Sequence, residues 1–250
     1  MKAIVYPLLS LILSCLFCHP LLAEGKQITA WSYYEVPPFK TAHEGSGLAQ
    51  DLVALLNKKA LGQFNFKLKN IPRSRLNSYL GEKKSGIVLF VNWAWMGKTS
   101  KQDYFWSNPV MHDRNEIISA KFSAINYDGA DSLIGLSFVG VRGRRYPKFA
   151  SLLESGQIRL KEVNKEDLAL KMVAVGRVDF TTQPRSLAIA LINKLDLKKN
   201  LYFSPKPLFS FSRHIMVTSD LADVHQFLYI LTKDINQSQD WKKILDKYGL

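Results

Sequence analysis

Three groups of residues supply flat rings, stiff backbone and fixed charge, a mixture suited to holding a small molecule rather than to making or breaking a bond. The first is YYEVPPF at residues 33–39. Tyr33, Tyr34 and Phe39 offer ring faces, and Pro37 with Pro38 stiffens the loop that carries them, so contact area comes with little ordering cost. Packing beneath the loop is an equally open reading for each ring. The second is NWAWMG at residues 92–97, directly after an apolar run. Asn92 and one of the two tryptophans would emerge at a site there, and Trp93 is preferred over Trp95. The third group is cationic: Arg75 in IPRSRLNSYL, Lys101 in GKTSKQDYF, and Arg142 at the head of RGRR. Each could meet an anion. The competing reading is a surface ion pair for Arg75 and a solvated charge cluster for RGRR.

Covalent and metal chemistry find little support. GLSFVG lacks the glycine two residues after Ser137 that a nucleophile elbow needs. GKT at residues 97–99 has Asn92 where a phosphate loop places its first glycine. His43, His112, His214 and His225 are scattered without metal-ligand spacing, and His214 within an apolar strand reads as a satisfied interior histidine. No metal, cofactor or catalytic residue is expected.

The N-terminus differs from the rest. Lys2, an apolar segment and the exit HPLLAEGK have the layout of a secretory leader over residues 1–23, cut after Ala23. An uncleaved anchor is the rival, although the apolar stretch is short of the ~20 residues a span needs; lipidation at Cys15 within ILSC is the minority reading. Cys15 and Cys18 both fall in the leader, so the exported chain would hold neither a disulfide nor a thiol nucleophile and would rest on its core. The leader implies an exported chain. The net charge of +13 becomes +12 without Lys2, and no basic run is long enough for a nucleic-acid tail. A solvated basic surface and a monomer are expected.

The positioning elements follow from periodicity. KQITAWSYY reads as a strand, GSGLAQDLVALLNKKALG as a helix with Leu48, Leu52, Leu55 and Leu56 on one face, QFNFKLKNI as a strand, RSRLNSYLGEKKSG as a helix and IVLFVNWAW as a strand buried on both faces. NEIISAK, GLSFVGVRG, IRLKEV, VDFTT and SRHIMVTSD are further strands. Helices are predicted near RYPKFASLLESG, in NKEDLALKMVAVGR with Asn164 as cap, in RSLAIALINKL, and in the two C-terminal segments LADVHQFLYILTKDI and SQDWKKILDKYGL. Such alternation predicts two α/β lobes with largely parallel sheets.

This order of elements, with its local motifs, resembles the bacterial extracellular solute-binding proteins of family 3, the periplasmic receptors of amino-acid-type ABC importers. The motifs are PPF at 37–39; Gly47 with Asp51 and Leu52; IPRSRLNSYL; FWSNPV; SLIGLSFVGV; GRVDF at 176–180; and DWKKILDKYG. The resemblance spans residues 26–250 and implies a type II periplasmic-binding-protein fold, two α/β lobes joined by two crossover strands, closing on a ligand. It implies lobe one at 24–114 plus 212–250, lobe two at 115–211, and crossovers near 116–120 and 214–217. Asp51 and Asp179 take structural roles in that pattern.

The family pattern fails at two anchors. The arginine that holds a ligand α-carboxylate falls on Ser100, and the acid that meets the ammonium falls on Gln183 or Pro184. The expected ligand is therefore a small polar molecule other than an ordinary α-amino acid. The resulting expectation is a non-catalytic, exported solute-binding protein serving an ABC permease, with Tyr33, Tyr34, Phe39, Arg75, Asn92, Trp93, Lys101 and Arg142 as ligand-binding residues. A ligand-sensing module for another periplasmic partner, and a small periplasmic lyase on the same fold, are the alternatives.

Overall fold

The computed structural model describes residues 25–43 and 45–250; the expected leader, its cut after Ala23 and Cys15 lie outside the described residues. Strand β1 (Lys26–Ser32) is followed by α1 (Leu48–Ala60), β2 (Phe64–Asn70), α2 (Arg73–Gly81) and β3 (Ile87–Val91). A short helix α3 (Ser100–Asp103) and β4 (Phe105–Trp106) lead into the long β5 (Met111–Ala120). Then come β6 (Ser137–Val141), α4 (Ala150–Glu154), β7 (Arg159–Val163), α5 (Glu166–Ala174), β8 (Phe180–Pro184), α6 (Arg185–Lys194) and β9 (Leu201–Phe203). The second long strand, β10 (Phe209–Val217), precedes α7 (Ala222–Lys233) and α8 (Gln239–Lys247).

The strands run in the order β2-β1-β3-β10-β5-β8-β6-β7, with β4 on β10 and β9 on β5. Pairs β1–β2, β1–β3, β6–β7 and β6–β8 are parallel, as alternating strands and helices require. Pairs involving β5 and β10 are antiparallel. These two strands join the halves. Met111–Asn115 of β5 pairs with Phe209–Arg213 of β10, while the remainder of β5 pairs with β8 and β9, and His214–Val217 of β10 pairs with β3 and β4. The ribbon between the halves therefore lies several residues before the crossovers expected at 116–120 and 214–217. Those apolar stretches are the parts that enter each sheet; the ribbon itself is more polar and carries a weaker strand pattern.

Each half has its own apolar centre. In one, all of Leu48, Leu52, Leu55 and Leu56 of α1 are buried against Ile28, Phe90, Ile215 and Trp241. Asp51 accepts 2.8 Å bonds from Lys247 Nζ and Tyr248 Oη, fastening α1 to α8. In the other, α5 and α6 cover one face of the sheet, with Leu170, Val173, Ala188 and Leu191 buried. Phe138, Phe149 and Phe180 fill the opposite face. Asp179 Oδ2 accepts 2.6 Å bonds from the Ser137 backbone N–H and hydroxyl, tying the start of β6 to the turn before β8.

Two local expectations change. α5 starts at Glu166 with Lys165 at its N-cap and no side-chain capping bond, so Asn164 does not cap it; Glu166 and Asp167 in the first turn offset the helix dipole instead. The strand predicted over IVLFVNWAW stops at Val91, because Asn92 accepts a 3.0 Å bond from Ala94 N and turns Trp93–Trp95 into a 3₁₀ turn.

Candidate functional site

The carboxyl ends of β1, β3, β6 and β8 converge on one side of the β5–β10 ribbon, the place where loops of an open α/β sheet form a crevice. A cavity of about 390 Å³ lies there. Tyr33 and Tyr34 enter it from the end of β1, Trp95 from the turn after β3, and Phe209, Phe211 and Arg213 from β10. Asn115, Thr182 and the loop residues Arg144, Arg145, Tyr146 and Lys148 complete the far side.

The aromatic loop is built from the core outward. Gly47 passes so close to the loop that a Cβ there would lie 2.4 Å from the Phe39 carbonyl oxygen, at a φ of 130° that only glycine adopts without strain. Leu48 N donates to Pro38 O and Ala49 N to Phe39 O, so the start of α1 holds the loop down. Phe39, 2% exposed, packs on Phe90 in the core. Tyr34 stacks on Phe39 at 4.3 Å between centroids, and Tyr33 on Tyr34 at 4.5 Å. The three rings form a ladder with Tyr33 and Tyr34 at the cavity end. Burial pushes the Tyr33 phenol well above its ordinary pKa, and its bond to Tyr34 adds to the effect, so this hydroxyl stays protonated.

Arg213 occupies the base of the cleft. It is 2% exposed, and its guanidinium donates to Asp113 Oδ2 from Nε and Nη2 at 3.0 and 2.9 Å and to Tyr34 Oη at 2.9 Å. The guanidinium carbon lies 4.8 Å from the Phe39 ring centroid, 5.0 Å from Phe211, and 5.5 Å from both Tyr34 and Trp95, a ring box filled by the chain's own cation. Burial works against its charge, but Tyr34 and Asp113 outweigh that and hold its pKa above the ordinary guanidinium value. Asp113 also receives Ser186 Oγ at 2.7 Å, at the start of α6, so a single ion pair links β10, β5 and α6.

Across the cavity, the loop after β6 is pinned twice. Val141 N donates to Tyr146 Oη at 2.7 Å, and Arg144 pairs with Glu166. Arg145 and Lys148 are exposed and make no ion pair among the described residues.

The candidates from the sequence are thus dispersed. Tyr33 and Tyr34 line the cavity, whereas Phe39 lies one ring deeper. Asn92 is buried; it donates to Ser212 O and caps the 3₁₀ turn. Trp93 packs between His214 and Trp106, and Lys101 stands over its outer face at 5.2 Å; Trp95 is the tryptophan in the lining. Arg75 is exposed next to Tyr79, while Arg73, two residues earlier, lies 4.9 Å over the Tyr33 ring and donates to Trp95 O. Arg142 is exposed and outside the lining, which takes its neighbours Arg144 and Arg145. The two altered anchor positions serve structure. Ser100 is buried and donates to Trp93 O, and buried Gln183 donates to Glu166 O. His214 is buried between Ser107 O and Ser212 Oγ at 2.8 and 2.7 Å; burial lowers its pKa, against the bond to Ser107.

Arg213 is not marked by the sequence motifs, and of the two tryptophans the lining takes Trp95 rather than the preferred Trp93. A lone arginine in FSFSRHIMV, with an aspartate in the strand's partner segment, was the available signal for a buried ion pair.

No protein-family model matches the sequence, and no curated protein matches it. Solved structures do. An ancestral arginine-binding protein bound to arginine superposes with a TM-score of 0.66 at 16% identity, covering 91% of this chain and 100% of that one. A structure from work on glutathione import in Gram-positive bacteria, through GshT and the cystine ABC importer TcyBC of Streptococcus mutans, superposes at 0.67 with 20% identity, covering 90% and 95%. The GluR0 ligand-binding core from Nostoc punctiforme in complex with L-glutamate superposes at 0.65 with 15% identity, covering 89% and 99%. Among the described residues, no helix is long and apolar enough to cross a membrane. The likeness that the motifs implied is present in three dimensions: the chain has the type II periplasmic-binding-protein fold, shared with binding proteins for small molecules.

Proposed function

We propose that this chain is a family 3 solute-binding protein, exported to the periplasm, that captures a small polar ligand between two lobes and delivers it to an ABC permease without catalysing a reaction. Lobe one is 24–114 with 212–250, and lobe two is 115–211. The observation that carries the reading is the cavity on one side of the β5–β10 ribbon, with an aromatic wall from the first half and a cationic loop from the second. A ligand touching both walls favours the closed arrangement, because it gains contacts there that an open arrangement lacks.

The ligand differs from an ordinary α-amino acid. Ser100 and Gln183 are uncharged and buried away from the cavity, and the lining has no acid to meet an ammonium group. Burying that group without a carboxylate costs several kcal/mol.

Thermal shifts of the purified protein against α-amino acids, polyamines, carboxylates, small peptides and sugars test this. A ligand at ~100 times its Kd adds ~2.7 kcal/mol to stability, which a melting curve resolves. A shift with a compound class other than α-amino acids supports the reading. A comparable shift with ordinary α-amino acids overturns the ligand assignment. No shift with any class overturns the capture role.

A further inference from the structure

Resting on that capture reading, we propose that the cleft selects an organic anion with a flat apolar body and no ammonium group, of the arylalkyl carboxylate type. Three features of the lining point the same way.

The cation-attracting ring faces are already in use. Arg213 sits among Phe39, Tyr34, Trp95 and Phe211, and Arg73 lies over Tyr33. A ligand ammonium or guanidinium seeking these rings meets a resident cation instead of an empty box, and like charges repel at that range. The remaining ring surface of Tyr33, Trp95, Phe209 and Phe211 still offers apolar contact to a flat body.

No carboxylate of the lining is free to receive a cation. The lining holds no Asp or Glu. Behind it, Asp113 is fully engaged: Oδ1 accepts from Arg114 N and Ser186 N, and Oδ2 from Arg213 and Ser186 Oγ. Glu166 holds Arg144, and Glu162, whose charge reaches Tyr146 from β7, stands outside the lining.

Positive charge, by contrast, is left over. Arg213 is neutralised by Asp113 and Arg144 by Glu166, but Arg145 and Lys148 have no acidic partner among the described residues. Both belong to a loop that Tyr146 fastens to the end of β6 and Arg144 to the start of α5, so their charge is held over the cavity mouth. Asn115 and Thr182, bonded to each other at 2.8 Å, are the neutral polar groups nearby that could orient the ligand. The resulting pattern is a flat apolar floor beneath two unpaired cations.

Two triads of compounds isolate the charge from the ring. Indole-3-propionate, tryptamine and L-tryptophan share one ring and differ in charge; 3-phenylpropionate, phenethylamine and L-phenylalanine do the same on a smaller body. Titration calorimetry of the purified protein is expected to give the anion of at least one triad a Kd lower by about tenfold or more than its amine and its zwitterion. That affinity should weaken at raised ionic strength. Arg145→Gln combined with Lys148→Gln should cost the anion about tenfold or more while leaving the melting temperature unchanged, since both residues are exposed and unpaired. Equal or tighter binding of an amine or zwitterion overturns the anion assignment and leaves capture standing. Silence with both triads, but a melting shift with sugars or peptides, does the same. Silence with every compound in both experiments overturns the assignment and the capture reading together.

Discussion

The two walls of the cleft are built on opposite principles. The wall on the β1–β3 side is locked: Tyr33, Tyr34 and Phe39 stack in series, Arg213 fills the space among the rings, and its charge is cancelled by Asp113. The wall on the β6–β8 side is an exposed loop fastened at two points, with Arg145 and Lys148 left uncompensated. The same residue type therefore does two jobs. A buried arginine whose partners are all internal contributes to structure. An exposed arginine without an internal partner is available to something outside. The difference predicts that stability and binding respond to different substitutions.

The largest effect is expected at the ion pair. Arg213→Ala should destabilise the fold by about 3–5 kcal/mol in urea unfolding, because it strands Asp113 as a buried, unpaired carboxylate. The double variant Arg213→Met with Asp113→Leu should recover part of that loss. A loss below about 1 kcal/mol would place the locked wall in the same class as the loop.

Gly47→Ala should cost about 1–3 kcal/mol, the usual range for backbone held in a region closed to side chains. The added methyl would also press on the Phe39 carbonyl, so ligand affinity should drop with stability. Tyr34→Phe removes a hydroxyl that donates to Phe90 O and accepts from Arg213, both at 2.9 Å. About 1–3 kcal/mol is expected, since the Arg213 donor and the carbonyl then lack that partner.

A smaller effect comes with pH. His214 is held neutral in the fold, its pKa lowered from 6.5 by burial. The unfolded chain binds a proton at higher pH than the native state does, so stability should fall as pH drops through about 6.5 and continue to fall until the native pKa is passed. His214→Gln should flatten that part of the stability–pH curve; an unchanged slope would show that His214 is not its source. The smallest effect is predicted on the other wall. Arg145→Gln should leave unfolding free energy within about 0.5 kcal/mol of the parent, and its consequence should appear in anion affinity alone.

Much of the fold was legible in the chain itself. Leucines at helical spacing in α1, continuous apolar runs in β3 and β6, and alternating strands and helices demanded parallel α/β layers, since each face had to be buried against a neighbour. Glycine at position 47, and prolines with aromatics at 33–39, mark a stiff ring-bearing loop by sequence alone, because backbone permissiveness and ring area belong to residue type. Residue type also singled out YYEVPPF, NWAWMG and RGRR, each of which lends residues to the lining, but not the β10 stretch that carries Arg213.

What the sequence could not decide was which member of each stretch faces the cavity. One 3₁₀ turn after Val91 ends the strand and brings Trp95, not Trp93, to the lining; two residues of α2 separate Arg73 over Tyr33 from Arg75 in solvent. Above all, Arg213 and Asp113 are 100 residues apart, and only the antiparallel register of β5 with β10 brings them together. Charge is a property of the residue, but whether it is spent inside the protein or offered to a ligand depends on which partner the fold places within hydrogen-bonding distance.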